Sequence, residues 1–427
     1  MQGRQRLKLW LNVAYYHFRT IQEHTLTVYE AGMKAIELFA GAGGLGIGIS
    51  QAGFEPTAVI EWDRWCCETI RENRLRPSSS ISKWPVPIEG DVRELDFRTF
   101  DGKIDLVTGG PPCQPFSLGG KHRAHEDGRD MWSEAVRVVR ETRPPAFIFE
   151  NVKGLTRASF ASYLAYIVQQ LSYPEISRQV DESWEDHLSR LERHHTSKRT
   201  DAGLSYRVLY RVLNAADYGV PQRRERVVFV GFRNDLDIEW SFPESTHSKI
   251  ALHWDQGFRG TYFLRHGIRN ELRNVVSGFP NLTLLMQERP QQKPWRTVRD
   301  AIHDLPDPEH DPIRSGHIAN HRFQAGARAY AGHTGSPLDE PAKTLKAGVH
   351  GVPGGENMLV RPDGSIRYFT VRECARLQTF PDDYVFHGSW TESMRQLGNA
   401  VPVALATIIA KDVKSRLARF HSPGLAN

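Results

Sequence analysis

Residues 109–117 read GGPPCQPFS. Cys113 stands among glycines and prolines, a mixture that no helix or strand interior tolerates. A stiff, exposed turn is expected, an unusual mount for a thiol that is ordinarily buried and inert. Two other stretches carry groups that could work with it. AFIFENV (146–152) reads as a strand ending on Glu150 and Asn151, and QRRER (222–226) sets Arg224 and Arg226 two apart. On a strand that spacing points both arginines to one face. A thiol, a carboxyl group and guanidiniums suggest two chemistries. Acyl transfer normally wants a His base beside the Cys, and no His is tied to these strand ends. Addition of a thiolate to an electron-poor ring carbon needs instead an acid on the ring and cationic support. The thiolate requires a lowered pKa, and Arg224 is the leading candidate to supply it.

These groups need elements to hold them, and the chain alternates strands and helices from Lys34 onward. AIELFAG (35–41), PTAVIEWD (56–63), KIDLVTGG (103–110) and AFIFENV read as strands. PIEGDVREL (87–95) reads as a short strand, then a loop. LGIGISQAG (45–53), RWCCETIRENR (64–74), MWSEAVRVVRETRP (131–144) and SFASYLAYIVQQL (159–171) read as helices, with Gly53 stopping the first. The polar stretch 181–203 is expected to be a surface loop. YRVLYRVLNAADYG (206–219) and ERVVFVGFR (225–233) are expected to close the sheet. Residues 394–420 read as a long closing helix whose start is set by Pro402. The alternation predicts an α/β fold with a parallel, doubly wound sheet.

GAGGLG (41–46) lies between a strand and a helix, with Glu61 after the next strand. This is the context of a dinucleotide fingerprint, in which glycines admit a ligand and a carboxylate grips ribose hydroxyls. Any adenosine-containing cofactor fits, with NAD and S-adenosylmethionine the main candidates. Trp62 could stack on adenine and Asp91 could accept its amino group. In such sheets the ligand binds at the carboxyl ends of the strands, the edge to which Cys113 and Glu150 are also delivered. Carbon 5 of cytosine is too weak a nucleophile to take a methyl group directly. A thiolate added at carbon 6 would make it enamine-like, and an acid at N3 would stabilise the developing charge. Every part named so far fits that chemistry.

The 427 residues are 40% hydrophobic and 25% charged, as in ordinary soluble proteins. No stretch approaches a membrane span, and a signal peptide is not expected at the start. The four cysteines, Cys66, Cys67, Cys113 and Cys374, show no disulfide framework, so free thiols are expected. His317 and His321 lie four apart without an evident third ligand, so no metal site is assigned. Net charge is +5, and arginine far outnumbers lysine among the 55 basic residues. That balance permits a nucleic-acid partner without demanding one.

Taken together, the motifs resemble those of the DNA (cytosine-5) methyltransferases, in the compact form of bacterial restriction–modification enzymes. ELFAGAGGLG (37–46) is similar to the family's S-adenosylmethionine motif, GGPPCQPFS to its catalytic proline–cysteine motif and FENV (149–152) to its glutamate motif. Gln222, Arg224 and Arg226 match its Q-x-R-x-R pattern, and QLGNAVPVALA (396–406) resembles its last motif. The likeness runs from about residue 34 to 415. It implies a Rossmann-like methyltransferase sheet with a smaller target-recognition domain. Cys113 would attack carbon 6, Glu150 would hold N3 and the exocyclic amine, Arg226 would contact the base and Arg224 would position the cysteine loop. Phe39, Gly41, Gly43, Gly44, Glu61, Trp62, Asp91, Val92, Pro112, Asn399 and Val401 would line the cofactor site, with Met131 a weaker candidate. The product would be S-adenosylhomocysteine. A loop at 117–130 would close over a flipped base, with Gly119 and Gly120 as hinge. Gln114, Ser117, Lys121 and Arg123 would touch DNA.

The implied organisation is an extension at 1–33, the first part of the catalytic domain at 34–235, target recognition at 236–340 and catalytic completion at 341–427. The extension and the long stretch after PESTH (243–247) depart from the compact pattern. The resemblance implies double-stranded DNA as partner, a separate cognate endonuclease, a monomer, no membrane association and a place in the prokaryotic cytoplasm at the nucleoid. Two rivals remain in view: a tRNA cytosine-5 methyltransferase, and an NAD-dependent oxidoreductase, which the PPCQ and FENV motifs oppose. A catalytically dead relative would be marked by loss of the cysteine or the glutamate, and both are present.

Overall fold

The computed structural model describes residues 32–112, 131–197, 203–259, 261–268, 289–331, 333–348 and 357–420. Most of the predicted N-terminal extension therefore lies outside the described residues. β1 (Met33–Leu38), β2 (Phe54–Glu61), β3 (Ile88–Glu89), β4 (Leu106–Gly109), β5 (Ala146–Val152), β6 (Tyr206–Asn214) and β7 (Glu225–Arg233) form one sheet. Its order is β3-β2-β1-β4-β5-β7-β6. The pairs β3/β2, β2/β1, β1/β4 and β4/β5 are parallel, whereas β7 runs antiparallel to both β5 and β6.

The strands form where the sequence places buried, β-branched or aromatic residues. β4 is buried at every position, as expected of a strand covered on both faces. Along β5, Phe147 and Phe149 join one core, while Ala146 and Ile148 join the other. β7 divides in the same way, Val227 and Phe229 against Val228, Val230 and Phe232. This is the period-two alternation of a pleated strand. On the first face lie α3 (Trp132–Thr142), α4 (Ala161–Ser172) and α5 (Trp184–Thr196). On the second lie α1 (Gly44–Gln51) and α8 (Val403–Phe420), through Leu45, Ile49, Leu405 and Ile409. A third core joins Trp84, Val298 and Ile302 to α6 (Val371–Leu377) and α7 (Trp390–Asn399). α2 (Arg64–Arg74) matches the helix read from sequence and is capped by Asp63, which accepts from Cys66 N.

Two expectations are corrected. The stretch 181–203 is not only a loop, because α5 occupies 184–196. Its apolar stripe is narrow. Trp184, His187, Leu188 and Leu191 share one face at helical spacing, and the rest is polar or charged. His187 is buried, with Nδ1 bonded to Tyr166 Oη at 2.8 Å and Nε2 to Ile176 O at 2.7 Å. A His in place of an apolar residue hid the period. The closing segment is two helices, not one. α7 is capped by Ser389 and ends at Asn399; α8 starts after Pro402. Ala400 is extended, at φ −62° and ψ 146°. Val401 precedes a proline, which disfavours helix there.

Within 236–340, Leu236, Trp240 and Phe242 pack into the second-face core, and Trp240 Nε1 donates to Asp412 Oδ1 at 2.5 Å. Farther on, Leu252, Tyr262 and Phe263 form a small cluster with Ile268 and Trp295 against it. Among the described residues no helix is long and apolar enough to cross a membrane.

Trp132 tests the packing. It is fully buried, edge-on to Phe149 at 6.0 Å and Phe229 at 5.1 Å between ring centroids. Trp132→Ala should lower the unfolding free energy by about 3–5 kcal/mol, seen as a lower urea midpoint. An unchanged midpoint would contradict this core.

Candidate active site

β1 has β2 on one side and β4 on the other, and the chain winds outward from it in both directions. Such a reversal opens a crevice at the carboxyl ends of the two strands. GAGGLG spans the loop after β1 and the first turn of α1, and the loop after β4 starts at Gly110. The carboxyl ends of β2 and β5 and the turn after β3 bring Glu61, Glu150 and Asp91 to the same edge.

The glycine loop is tightly determined. Phe39 has φ +53°, Gly41 +54° and Gly43 +79°. The left-handed conformation costs an aromatic residue roughly 1–3 kcal/mol and persists only where its surroundings impose it. The glycines divide by role. A Cβ on Gly41 would meet nothing within 4 Å, so this position faces open space. A Cβ on Gly44 would collide with Val401 O, and one on Gly46 with the Glu37 carboxylate. The missing side chains of Gly44 and Gly46 therefore make room for the protein itself.

Glu61 is buried and accepts three backbone N–H groups, from Gly41 at 2.7 Å, Trp62 at 2.9 Å and Asp63 at 2.8 Å. Burial pushes its pKa up against those amides. A carboxylate offers about four lone-pair positions, so accepting capacity remains for a ligand hydroxyl. Trp62 beside it is 68% exposed, a free aromatic face. Asp91 begins the next turn, chelated by Arg93, which holds its carboxyl below the usual range. Val92 is buried behind it. Pro112 is exposed, and Met131 N donates to its carbonyl at 3.3 Å. Asn399 is exposed at the end of α7, and Val401 presses on Gly44.

Glu150, at the end of β5, is 8% exposed. Its Oε1 lies 2.7 Å from Arg226 Nε in an ion pair, without the alignment of a good hydrogen bond. A Cβ on Gly110 would sit 3.5 Å from Oε2. The carboxyl group thus stands against the backbone leading to Pro111 and Pro112. Burial raises its pKa, and Arg226 and Arg224 partly offset the rise. Arg224 is fully buried and donates to Leu345 O at 3.0 Å and Gly398 O at 2.7 Å. Its described hydrogen bonds thus bind the two closing segments. The backbone two residues before the cysteine is held by Asn151, whose Nδ2 donates to Pro111 O at 2.9 Å. Gln222 accepts from Leu345 N at 3.0 Å and strengthens the same junction.

Cys113, Gln114, Ser117, Lys121, Arg123 and the loop 117–130 lie outside the described residues. The other three cysteines are free and buried, and burial pushes the Cys67 thiol up to about 12. His321 is a core residue, bonded to Thr370 Oγ1 and Pro306 O. Sequence reasoning named Asn151 at this strand end but gave it no role. It missed Tyr384, whose hydroxyl donates to Ala42 O at 2.7 Å from 342 residues away. No local signal marks that contact.

Comparison with known proteins now decides the family. The C-5 cytosine-specific DNA methylase family matches residues 33–174 and 189–415. The chain belongs to that family. It is a C-5 cytosine-specific DNA methyltransferase, with the fold of enzymes that use S-adenosylmethionine. It is 34% identical to the Type II methyltransferase M.PspPI of Psychrobacter sp. (strain TA137), over 88% of this chain and 78% of that one. It is 31% identical to M.NgoMIV of Neisseria gonorrhoeae, over 89% and 96%. In structure it resembles an E. coli prophage protein described as a DNA modification methyltransferase. The TM-score there is 0.56 at 22% identity, covering 90% and 99% of the two chains. The stretch 175–188, which leads into α5, falls outside the family match.

Glu37 gives a pH test of the glycine loop. It is 1% exposed, accepts from Gly46 N at 2.8 Å, and Oε2 has no partner among the described residues. Burial pushes its pKa from 4.5 to about 8. A raised folded pKa gives stability that is full below 4.5 and lost as pH rises through about 8. Glu37→Gln keeps an acceptor for Gly46 and removes the titration. Its Tm should gain on the wild type as pH rises across that window; a constant difference would contradict a proton held on Glu37.

Proposed function

We propose that the methyltransferase works through a transient bond from Cys113 to carbon 6 of a cytosine, with Glu150 as the acid on the ring. The observation that carries this reading is the buried Glu150 carboxyl group, paired to Arg226 and set against the backbone that leads to Cys113. Its raised pKa suits a group that must offer a proton to N3. The thiolate adds at carbon 6, and electron density moves to carbon 5 as Glu150 stabilises N3. Arg226 holds the carboxyl group in register. Carbon 5 takes the methyl group from the sulfonium donor, which leaves as the thioether; carbon 5 then gives its proton to water, the Cys113 sulfur leaves carbon 6 with its electron pair, and any proton lent to N3 returns to Glu150.

The cofactor pocket fits an adenosine-containing methyl donor. Gly41 leaves open space, Glu61 retains accepting capacity, and Trp62 offers a free ring. Glu61 would take ribose hydroxyls, Trp62 the adenine face, Asp91 and Val92 the adenine edge. Phe39, Gly43, Gly44, Pro112, Asn399 and Val401 would close the walls. Bound S-adenosylmethionine supplies an electrophilic methyl group there.

A cytosine in a duplex must leave the stack to reach this edge, at about a few kcal/mol. Residues 117–130 would close over it, with Gln114, Ser117, Lys121 and Arg123 on the DNA, and 236–340 would read the sequence. Relatives named as Type II methyltransferases support a protective role in a restriction–modification system. In that role the chain acts as a monomer at the nucleoid, with the endonuclease a separate protein.

The test is methylation-sensitive sequencing of a plasmid from cells expressing the chain. Methylcytosine should appear at one sequence context and be absent with Cys113→Ala, whose S-adenosylmethionine affinity should change little. Methylation that survives Cys113→Ala, or that appears on tRNA and not on DNA, would contradict the proposal.

A further inference from the structure

The two halves of the cofactor pocket come from opposite ends of the chain. Glu61 ends β2 and Trp62 follows it, whereas Asn399 ends α7. Something must hold α7 against the β2 turn, and one side chain spans the gap. Arg395 Nη2 donates to Asp63 Oδ2 at 2.8 Å, across 332 residues. On its other side Arg395 is locked to Glu392 by Nε at 2.9 Å and Nη2 at 2.7 Å.

Asp63 is well placed to receive it. Its backbone N–H holds the Glu61 carboxylate, and its Oδ1 caps α2 by accepting from Cys66 N at 3.0 Å. Arg395 therefore grips the residue that orients Glu61. Asn399 lies four residues after Arg395, on the same helix face. One turn of α7 thus carries both the tether and the pocket residue. A neighbouring bond fixes the helix rotation, with Thr69 Oγ1 donating to Gln396 Oε1 at 2.7 Å.

We propose that Arg395 is a positioning residue for S-adenosylmethionine, acting through Asp63 to bring Asn399 and the Glu61–Trp62 turn together. The inference rests on the cofactor pocket proposed above. The tether touches neither the DNA-reading segment nor the Glu150–Arg226 pair, so its loss should weaken cofactor binding selectively.

The test uses the full chain, with calorimetry for S-adenosylmethionine and steady-state kinetics on duplex DNA. Arg395→Met and Asp63→Asn should each raise Kd and KM for S-adenosylmethionine about threefold to tenfold. The asparagine still caps α2, which separates loss of the tether from loss of the helix. The double variant should be no worse than the weaker single, because both remove one interaction. Arg395→Lys should recover part of the affinity. At saturating cofactor, kcat and the KM for DNA should stay within about twofold of the wild type. Unchanged cofactor affinity, multiplicative losses, or an equal fall in kcat would overturn the tether while leaving the pocket reading intact. Absence of S-adenosylmethionine binding in the wild type would overturn both.

Discussion

The Glu150 carboxyl group, buried at the end of a central strand, stands beside a buried cation, and this pairing organises its edge of the sheet. Removing one partner of a buried pair costs far more than the pair contributes. Glu150 finds Arg226 at 2.7 Å. The partner arrives because β7 runs antiparallel to β5, with Arg226 registered opposite Val152. A parallel β7 would start at the far edge of the sheet and leave Glu150 alone. The single reversed strand is thus what delivers QRRER to the carboxyl ends of the others.

Arg224 extends the constraint to the rest of the chain. A fully buried guanidinium must spend its donors on carbonyls or carboxylates, and it takes those of Leu345 and Gly398. Residues 342–345 are drawn onto 221–224, where Arg223 N meets Ala342 O and Ala342 N meets Pro221 O. Gly398 precedes Asn399 in the proposed cofactor pocket. Arg224 thus acts electrostatically on the Glu150 carboxyl group while it holds the backbone next to Asn399. The glycine loop shows the same economy: Tyr384, Val401 and Glu37 press on it from inside the protein, and Gly41 is left open to the crevice.

Much of this was legible in the sequence, because local pattern carried it. AFIFENV forms β5 and RWCCETIRENR forms α2 at the boundaries read from periodicity. The strand ends brought Glu61, Asp91 and Glu150 to one edge as topology requires. What was not legible depends on distance in sequence or on mixed chemistry. α5 was missed because a buried His replaces an apolar residue in its stripe. Tyr384, Arg395 and the carbonyls that bind Arg224 act across the fold, and no spacing rule reaches that far. The bare Cα positions of Gly44 and Gly46 answer to neighbours supplied across the fold by Val401 and across the strand by Glu37, which the glycine spacing alone does not show.

The central claim is that Glu150 supports attack by Cys113 on the cytosine ring. It is tested most directly on duplex DNA carrying 5-fluorocytosine at the target, since fluorine at carbon 5 cannot leave as a proton does. The wild type with S-adenosylmethionine should form an adduct that survives denaturation and maps to Cys113 by mass spectrometry. In Glu150→Gln the adduct should form about a hundredfold more slowly or worse. An adduct on another residue, methyl transfer without any adduct, or an unchanged rate in Glu150→Gln would contradict the account.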